Sequence, residues 1–305
     1  MRAFIFPGQG SQSVGMGRAL AEASAVARHL FEEVDEALRQ KLFRLMAEGP
    51  GDELTLTENA QPAIMANAVA TLRVSGIPID KADFVAGHSL GEYSALCAAG
   101  SFDVPTTARL LKLRGQAMQR AVPVGQGAMA ALLGASVEIA RAVAEAAAQG
   151  ETCTVANDND PSQVVISGHR GAVERALDIA TEKGAKRAVL LPVSAPFHSP
   201  LMEPAAREME AALADVDLAA PSVPLYANVT AAPVDDPDEI RRLLVEQVTG
   251  MVRWRESVAA MSGGGVDAFY ELGAGKVLTG LVKRIAAGAS GMAVGTPEDV
   301  KAFKL

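Results

Sequence analysis

The sequence contains only two cysteines, Cys97 and Cys153. Neither lies in a metal-ligand spacing, and two thiols in a chain of 305 residues make a disulfide framework implausible. No uninterrupted apolar run reaches transmembrane length, because Asp, Glu, Lys or Arg breaks every candidate. The apolar start, Arg2 to Phe6, is too short for the core of a signal peptide and runs straight into Pro7 and Gly8. Excess positive charge is missing too: 28 Lys and Arg face 36 Asp and Glu, giving −8 at pH 7. Such a chain is a poor candidate for sequence-independent binding to nucleic acid or to an anionic membrane. Internal repeats and low-complexity tracts are absent. The expectation is a cytoplasmic protein with neither nucleic acid nor membrane as partner.

Hydrophobic residues make up 49% and charged residues 21%, which excludes extensive disorder and is enough for one large core or a core with an insertion. Arg2–Phe6 and Asp83–Ala86 read as buried strands, each ended by glycine. Helical spacing covers Ala19–Lys41, Gln61–Leu72, Leu90–Ala99 and Pro105–Ala121. The order implies an α/β fold with a parallel sheet. From Pro123 the texture changes. Strands at Met129–Leu133, Thr152–Val155, Val164–Ser167 and Ala188–Val193 alternate with helices Val137–Ala148 and Ala172–Lys183. This βαββαβ order is the ferredoxin-like pattern. The expected organisation is a large α/β-hydrolase-like domain, residues 1–123 and 194–305, with a small ferredoxin-like subdomain, 124–193, inserted in it. After Pro196 the larger pattern resumes, with helices Leu201–Leu213, Glu239–Val248 and Val277–Ala287 and strands Leu225–Asn228 and Phe269–Leu272.

Gly87-His88-Ser89-Leu90-Gly91 is a G-x-S-x-G motif between a predicted strand and a predicted helix, the context in which a serine becomes an exposed nucleophile. The helix start places free N–H groups beside the reacting oxygen, and the N–H of Leu90 is the expected oxyanion donor. A serine hydroxyl needs a base. Of the four histidines, His29 lies in a charged helical stretch, His169 reads as a turn residue, and His88 would point away from Ser89. His198, held between Pro196 and Pro200, leads as the base. On the helix Pro105–Ala121, Arg114 falls on the apolar stripe of Leu110, Leu111, Ala117 and Met118. A guanidinium there needs an anionic partner, either a buried Asp or Glu or a ligand carboxylate.

Six motifs in order, from Phe6-Pro7-Gly8-Gln9-Gly10-Ser11-Gln12 through Gly87-His88-Ser89-Leu90-Gly91-Glu92-Tyr93, Arg114-Gly115, Gln163-Val164-Val165-Ile166-Ser167-Gly168 and Pro196-Phe197-His198-Ser199 to Gly273-Ala274-Gly275-Lys276-Val277-Leu278, span almost the whole chain. Together they resemble the malonyl-CoA:acyl carrier protein transacylase family and the acyltransferase domains of polyketide and fatty acid synthases. The resemblance implies that Ser89 is acylated, that His198 is its base and that Arg114 binds the malonyl carboxylate. It implies that the N–H groups of Gln9 and Leu90 hold the oxyanion, and that the backbone carbonyl of Gln247 orients the histidine. Phe197 is the residue type of malonyl-selective members. The implied partners are malonyl-CoA, CoA and an acyl carrier protein that brings its own phosphopantetheine arm. The chain is expected to need no cofactor or metal of its own and to be a monomer. Carrier proteins of this kind are acidic, so a local basic patch is needed, with Lys186, Arg187, Lys276, Lys283 and Arg284 as candidates.

Three other readings use the same residues. A serine esterase or thioesterase would need an acidic triad member, and Asp158 and Asp160 are the residues that lie between nucleophile and histidine. A dinucleotide site at Gly8-Gln9-Gly10 lacks its third glycine, since position 13 is Ser. A non-catalytic scaffold would have no reason to retain Ser89, His198 and Arg114.

Overall fold

The computed structural model describes residues 1–305, and its strands form two sheets. They are β1 (Arg2–Phe6), β2 (Phe84–Gly87), β3 (Gly127–Leu133), β4 (Cys153–Asp160), β5 (Gln163–His169), β6 (Arg187–Leu190), β7 (Leu225–Ala227), β8 (Ala232–Val234), β9 (Ala268–Leu272) and β10 (Ser290–Val294). The larger sheet has the order β10-β9-β1-β2-β7-β8, parallel throughout except for β8. Residues Ala3 to Phe6 of the central β1 are fully buried. Both of its faces are covered, which is why the strand reads as a continuous apolar run rather than an alternation. Phe6 pairs in register with Gly87, so β1 and β2 end level on the same edge of the sheet. The loops that follow, carrying Gln9 and Ser89, therefore open side by side at the carboxyl ends of parallel strands, where α/β sheets form their clefts.

The second sheet is antiparallel, with the order β4-β5-β3-β6. Period-2 alternation on β3 divides its side chains between two cores. Ala128, Ala130 and Leu132 pack under helices Val137–Ala148 and Arg170–Glu182, in a small core rich in alanine. Met129 and Ala131 face the main core. The sheet thus wears its helices on one side and leans on the larger body with the other. Two kinds of contact pin it there. Val252 N–H donates to Ala156 O at 2.9 Å while Asp158 N–H donates to Val252 O at 2.9 Å. The buried carboxylates of Asp158 and Asp160 meet Arg255 and Arg284 at 2.8 and 2.5 Å.

Several elements differ from the sequence reading. The predicted helix Ala19–Lys41 is two helices, Arg18–Ala23 and Ala25–Leu38. Ser24 breaks it, because its Oγ accepts from Val26 N–H at 3.2 Å and caps the second helix. Helix Gln61–Leu72 extends to Thr57–Ser75, with Pro62 inside it rather than at its start. Helices Leu42–Glu48, Gly51–Thr55, Trp254–Gly263 and Pro297–Ala302 and strands β8 and β10 lie outside the elements read from the sequence. The predicted Ala188–Val193 strand stops at Leu190, and His169 is the last residue of β5 rather than part of a turn.

Candidate active site

Three backbones approach one another at the end of β2. A Cβ on Gly87 would lie 1.9 Å from the carbonyl carbon of Gly91, and one on Gly91 would lie 2.3 Å from the Phe6 carbonyl oxygen. Only glycine fits either position, which gives the two outer glycines of the motif their physical reason. Between them Ser89 has φ 55°, a left-handed conformation that strains an L-residue. Asn228, just past β7, holds this turn. Its Oδ1 accepts from Ser89 N–H at 2.8 Å and its Nδ2 donates to Gly87 O at 2.7 Å. The helix Gly91–Ala98 starts immediately afterwards.

His198 reaches the serine from the loop after β6. It also adopts a left-handed backbone, φ 54°, and is 4% exposed. Its Nε2 lies 2.7 Å from Ser89 Oγ. Its Nδ1 faces the carbonyls of Gln247 at 2.9 Å and Gly250 at 3.1 Å. Carbonyls only accept, so Nδ1 carries the proton and Nε2 turns its lone pair to the serine hydroxyl. Burial first, and then the charge of Arg114, push the imidazole down to about 3. The histidine is therefore neutral and able to take a proton. No carboxylate stands behind it. Asp158 and Asp160, the acids that a hydrolase triad would draw on, are both engaged by arginines elsewhere.

The helix Val104–Ala121 is capped by Asp103, whose side chain accepts from Thr106 N–H at 2.7 Å. It turns Arg114 inward with Leu110, Leu111, Ala117 and Met118, and Arg114 is only 1% exposed. Its Nη1 donates to Gln61 Oε1 at 2.8 Å, and its Nη2 to Gln247 Oε1 at 2.7 Å and to Ser89 Oγ at 3.2 Å. Its Nε has no partner, and no carboxylate lies within ion-pair distance. Tyr93 places its ring face 5.8 Å from the guanidinium carbon. The charge is thus buried among neutral oxygens. Of the two sequence alternatives for Arg114, the buried Asp or Glu partner is not found.

These groups line one cavity of ≈ 320 Å³. Ser89, His198, Arg114, Gln9 and Leu90 share its polar side, while Met118, Met129, Leu191, Val193 and Phe197 make the apolar wall. The N–H groups of Gln9 and Leu90 donate to no acceptor in the protein and are free for an oxygen in the cavity. Gln247 is fully buried behind them and touches Ser89, His198 and Arg114 at once. All six residues singled out in the sequence therefore meet in one place. His88 also borders the cavity, but its imidazole is turned to other partners than Ser89: its Nε2 is held by Asn159 Oδ1 at 2.9 Å. His29 is at the surface beside Glu32, and His169 accepts from Thr152 N–H at 2.9 Å in the small sheet.

Sequence reasoning gave no role to Gln61, Glu92 or Asn228. Glu92 is buried, and burial pushes its carboxyl up to about 7 against the lowering effects of Asn228 N–H, Gln247 and Arg114. A signal for Asn228 existed: a polar residue directly after a short apolar strand sits at the carboxyl edge where sites form. Gln61 gave a fainter one, a polar residue within an alanine-rich helix. No group of three or more His, Cys, Asp or Glu is placed to hold a metal ion. No helix is long and apolar enough to cross a membrane.

Residues 3–296 match the family described as acyl transferase domain. The chain is 45% identical over 303 residues to the malonyl CoA-acyl carrier protein transacylase of Bacillus subtilis, covering 98% of this chain and 95% of that protein. It is 44% identical to the Escherichia coli protein of the same name, over 98% and 97%. Among solved structures, the acyl-carrier-protein S-malonyltransferase of Bartonella henselae superposes with a TM-score of 0.97 at 55% identity, over 99% of this chain and 97% of that one. A malonyl-transacylase solved in complex with its type II PKS acyl-carrier protein gives 0.95 at 41% identity, over 99% and 98%. With a match that runs over nearly its whole length, the chain belongs to the acyl transferase domain family.

Proposed function

We propose that this protein is an acyl-carrier-protein S-malonyltransferase, moving malonyl from malonyl-CoA to the phosphopantetheine thiol of an acyl carrier protein through an ester on Ser89. The observation that carries this reading is Arg114. A guanidinium held in a cavity by neutral oxygens, 3.2 Å from a serine Oγ, suits an acyl group whose far end is a carboxylate one methylene beyond the reacting carbon. The names of the relatives point the same way.

The steps follow from the hydrogen bonds. His198 Nε2 takes the Ser89 proton as Oγ bonds to the thioester carbon. The Gln247 and Gly250 carbonyls stabilise the imidazolium that forms. The N–H groups of Gln9 and Leu90 receive the oxyanion. Collapse breaks the C–S bond, and CoA leaves as thiol with the proton from His198. The carrier thiol then gives its proton to His198 and attacks the ester, and Ser89 regains its hydroxyl. The chemistry calls on no cofactor.

The reading extends to the architecture. Residues 1–123 and 194–305 form the hydrolase-like domain, and 124–193 form an inserted ferredoxin-like subdomain. The order β4-β5-β3-β6 and the separate alanine-rich core support that division. An acidic carrier would dock on local positive charge. Arg284 is tied to Asp160, which leaves Lys186, Arg187, Lys276 and Lys283 as the candidates.

Arg114→Ala tests the reading. Malonyl transfer should fall by the equivalent of about 2–5 kcal/mol, the loss of a desolvated charge contact, while acetyl transfer holds or rises. Rates of acyl-enzyme formation from malonyl-CoA and acetyl-CoA measure it. An unchanged malonyl-over-acetyl preference would contradict the assignment.

A further inference from the structure

Glu92 is a buried carboxyl that the reaction above does not use. It is 2% exposed and has no arginine or lysine within ion-pair distance. Both of its oxygens are occupied. Oε1 accepts from Asn228 N–H at 2.8 Å, and Oε2 accepts a short hydrogen bond from Gln247 Nε2. Those two partners grip the nucleophile from either side. Asn228 Oδ1 takes the Ser89 N–H at 2.8 Å, and Gln247 Nε2 donates to the Ser89 carbonyl at 2.9 Å. Gln247 also takes Arg114 Nη2 on its Oε1 at 2.7 Å. Arginine has no acceptor, so the Gln247 amide has only one usable orientation, oxygen to Arg114 and nitrogen to Glu92. The other oxygen of Glu92 faces a backbone N–H, again a donor. The position therefore demands two acceptors, as a carboxylate supplies and a glutamine side chain does not.

We propose that Glu92 is a positioning residue for acyl-group selection: it fixes the Gln247 amide, and the Gln247 amide fixes the Arg114 guanidinium beside Ser89. The inference rests on the assignment of Arg114 to the malonyl carboxylate. Glu92→Gln preserves the shape and sets an NH2 group against a donor. Gln247 then loses its anchor, Arg114 loses its fixed orientation, and malonyl binding suffers more than acetyl binding. A residue that only stabilised the fold would lower both in proportion.

The test compares Ser89 acylation by malonyl-CoA and by acetyl-CoA in the wild type, Glu92→Gln and Glu92→Asp, with thermal unfolding to confirm folded protein. The expected result for Glu92→Gln is a malonyl-to-acetyl ratio of kcat/KM reduced about tenfold, the size of one lost charge-assisted hydrogen bond, mainly through a raised malonyl KM. Glu92→Asp, which keeps the charge and withdraws the oxygens, should show a smaller loss. A wild-type ratio in both folded variants would overturn the proposal. Should Glu92→Gln fail to fold, Glu92→Asp decides: a lowered ratio supports the proposal and an unchanged one overturns it. A wild-type enzyme with no malonyl preference would instead overturn the parent assignment, and that result is visible before any variant is compared.

Discussion

Ser89 and His198 meet at 2.7 Å, and each holds a left-handed backbone to do so. Strain of this kind costs about 1–3 kcal/mol per residue and persists only where the surroundings enforce it. Asn228 enforces it at Ser89 through the two hydrogen bonds at 2.8 and 2.7 Å. Ser89→Gly and Ser89→Ala should both end acylation, and the glycine variant should be about 1 kcal/mol the more stable, because it adopts this φ without strain while both lose the same Oγ hydrogen bonds. Urea denaturation of the two variants measures it, and a glycine variant no more stable than the alanine one would show that the turn is unstrained. His198, the proposed base, makes a second prediction. The folded His198 sits at about 3 against an ordinary value of 6.5. It stays neutral as pH falls through 6.5, so kcat/KM for acylation by acetyl-CoA, which does not call on the Glu92–Gln247–Arg114 chain, should show no loss centred there. A loss that follows His198 protonation near 6.5 would contradict the buried environment. The same depression has a stability sign. The unfolded state takes up this proton below 6.5 while the folded state refuses it, so the stability present above 6.5 is lost as pH falls towards 3.

At the scale of elements, the elbow depends on the close approach of β1, β2 and the helix Gly91–Ala98. A methyl group at Gly91 would press on the Phe6 carbonyl at 2.3 Å, and backbone cannot yield as a side chain can. Gly91→Ala should cost about 1–3 kcal/mol or more and abolish Ser89 acylation; a thermal melt and an adduct assay read both, and a variant with wild-type melting would show that the turn gives way freely. How much was legible in the sequence follows from the same geometry. Gly87, Ser89 and Gly91 were readable because steric demands of this kind leave glycine no substitute. Arg114 was readable because a charge on an apolar stripe breaks helical periodicity. The parallel core was readable because β1 is apolar without alternation. Short helices such as Leu42–Glu48 and Gly51–Thr55 were not, since one or two turns give the period too little length. The break at Ser24 was masked because apolar spacing continues across it. Glu92 and Asn228 were missed as a pair. They lie 136 residues apart, and their connection exists only once β2 and β7 are neighbours.

For the whole molecule, the issue is how two sheets hold one cavity. Met129, Leu191 and Val193 come from or next to the antiparallel sheet, while Ser89, Arg114 and Gln9 belong to the larger body. The joint is therefore part of the site. Asp158 is fully enclosed and Arg255 partly exposed, at 2.8 Å. Removing the cation leaves a buried carboxylate without its partner, so Arg255→Ala should cost about 3 kcal/mol of stability. Urea denaturation checks this, and a loss within a few tenths would mean that solvent replaces the arginine. The central claim concerns chemistry at Ser89, and one experiment addresses it directly. The purified protein is incubated with malonyl-CoA and, separately, with acetyl-CoA, followed by intact mass and peptide mapping. The account predicts a malonyl ester on Ser89 with little acetyl ester. No adduct from either donor on folded protein, or an adduct on another residue, would contradict it.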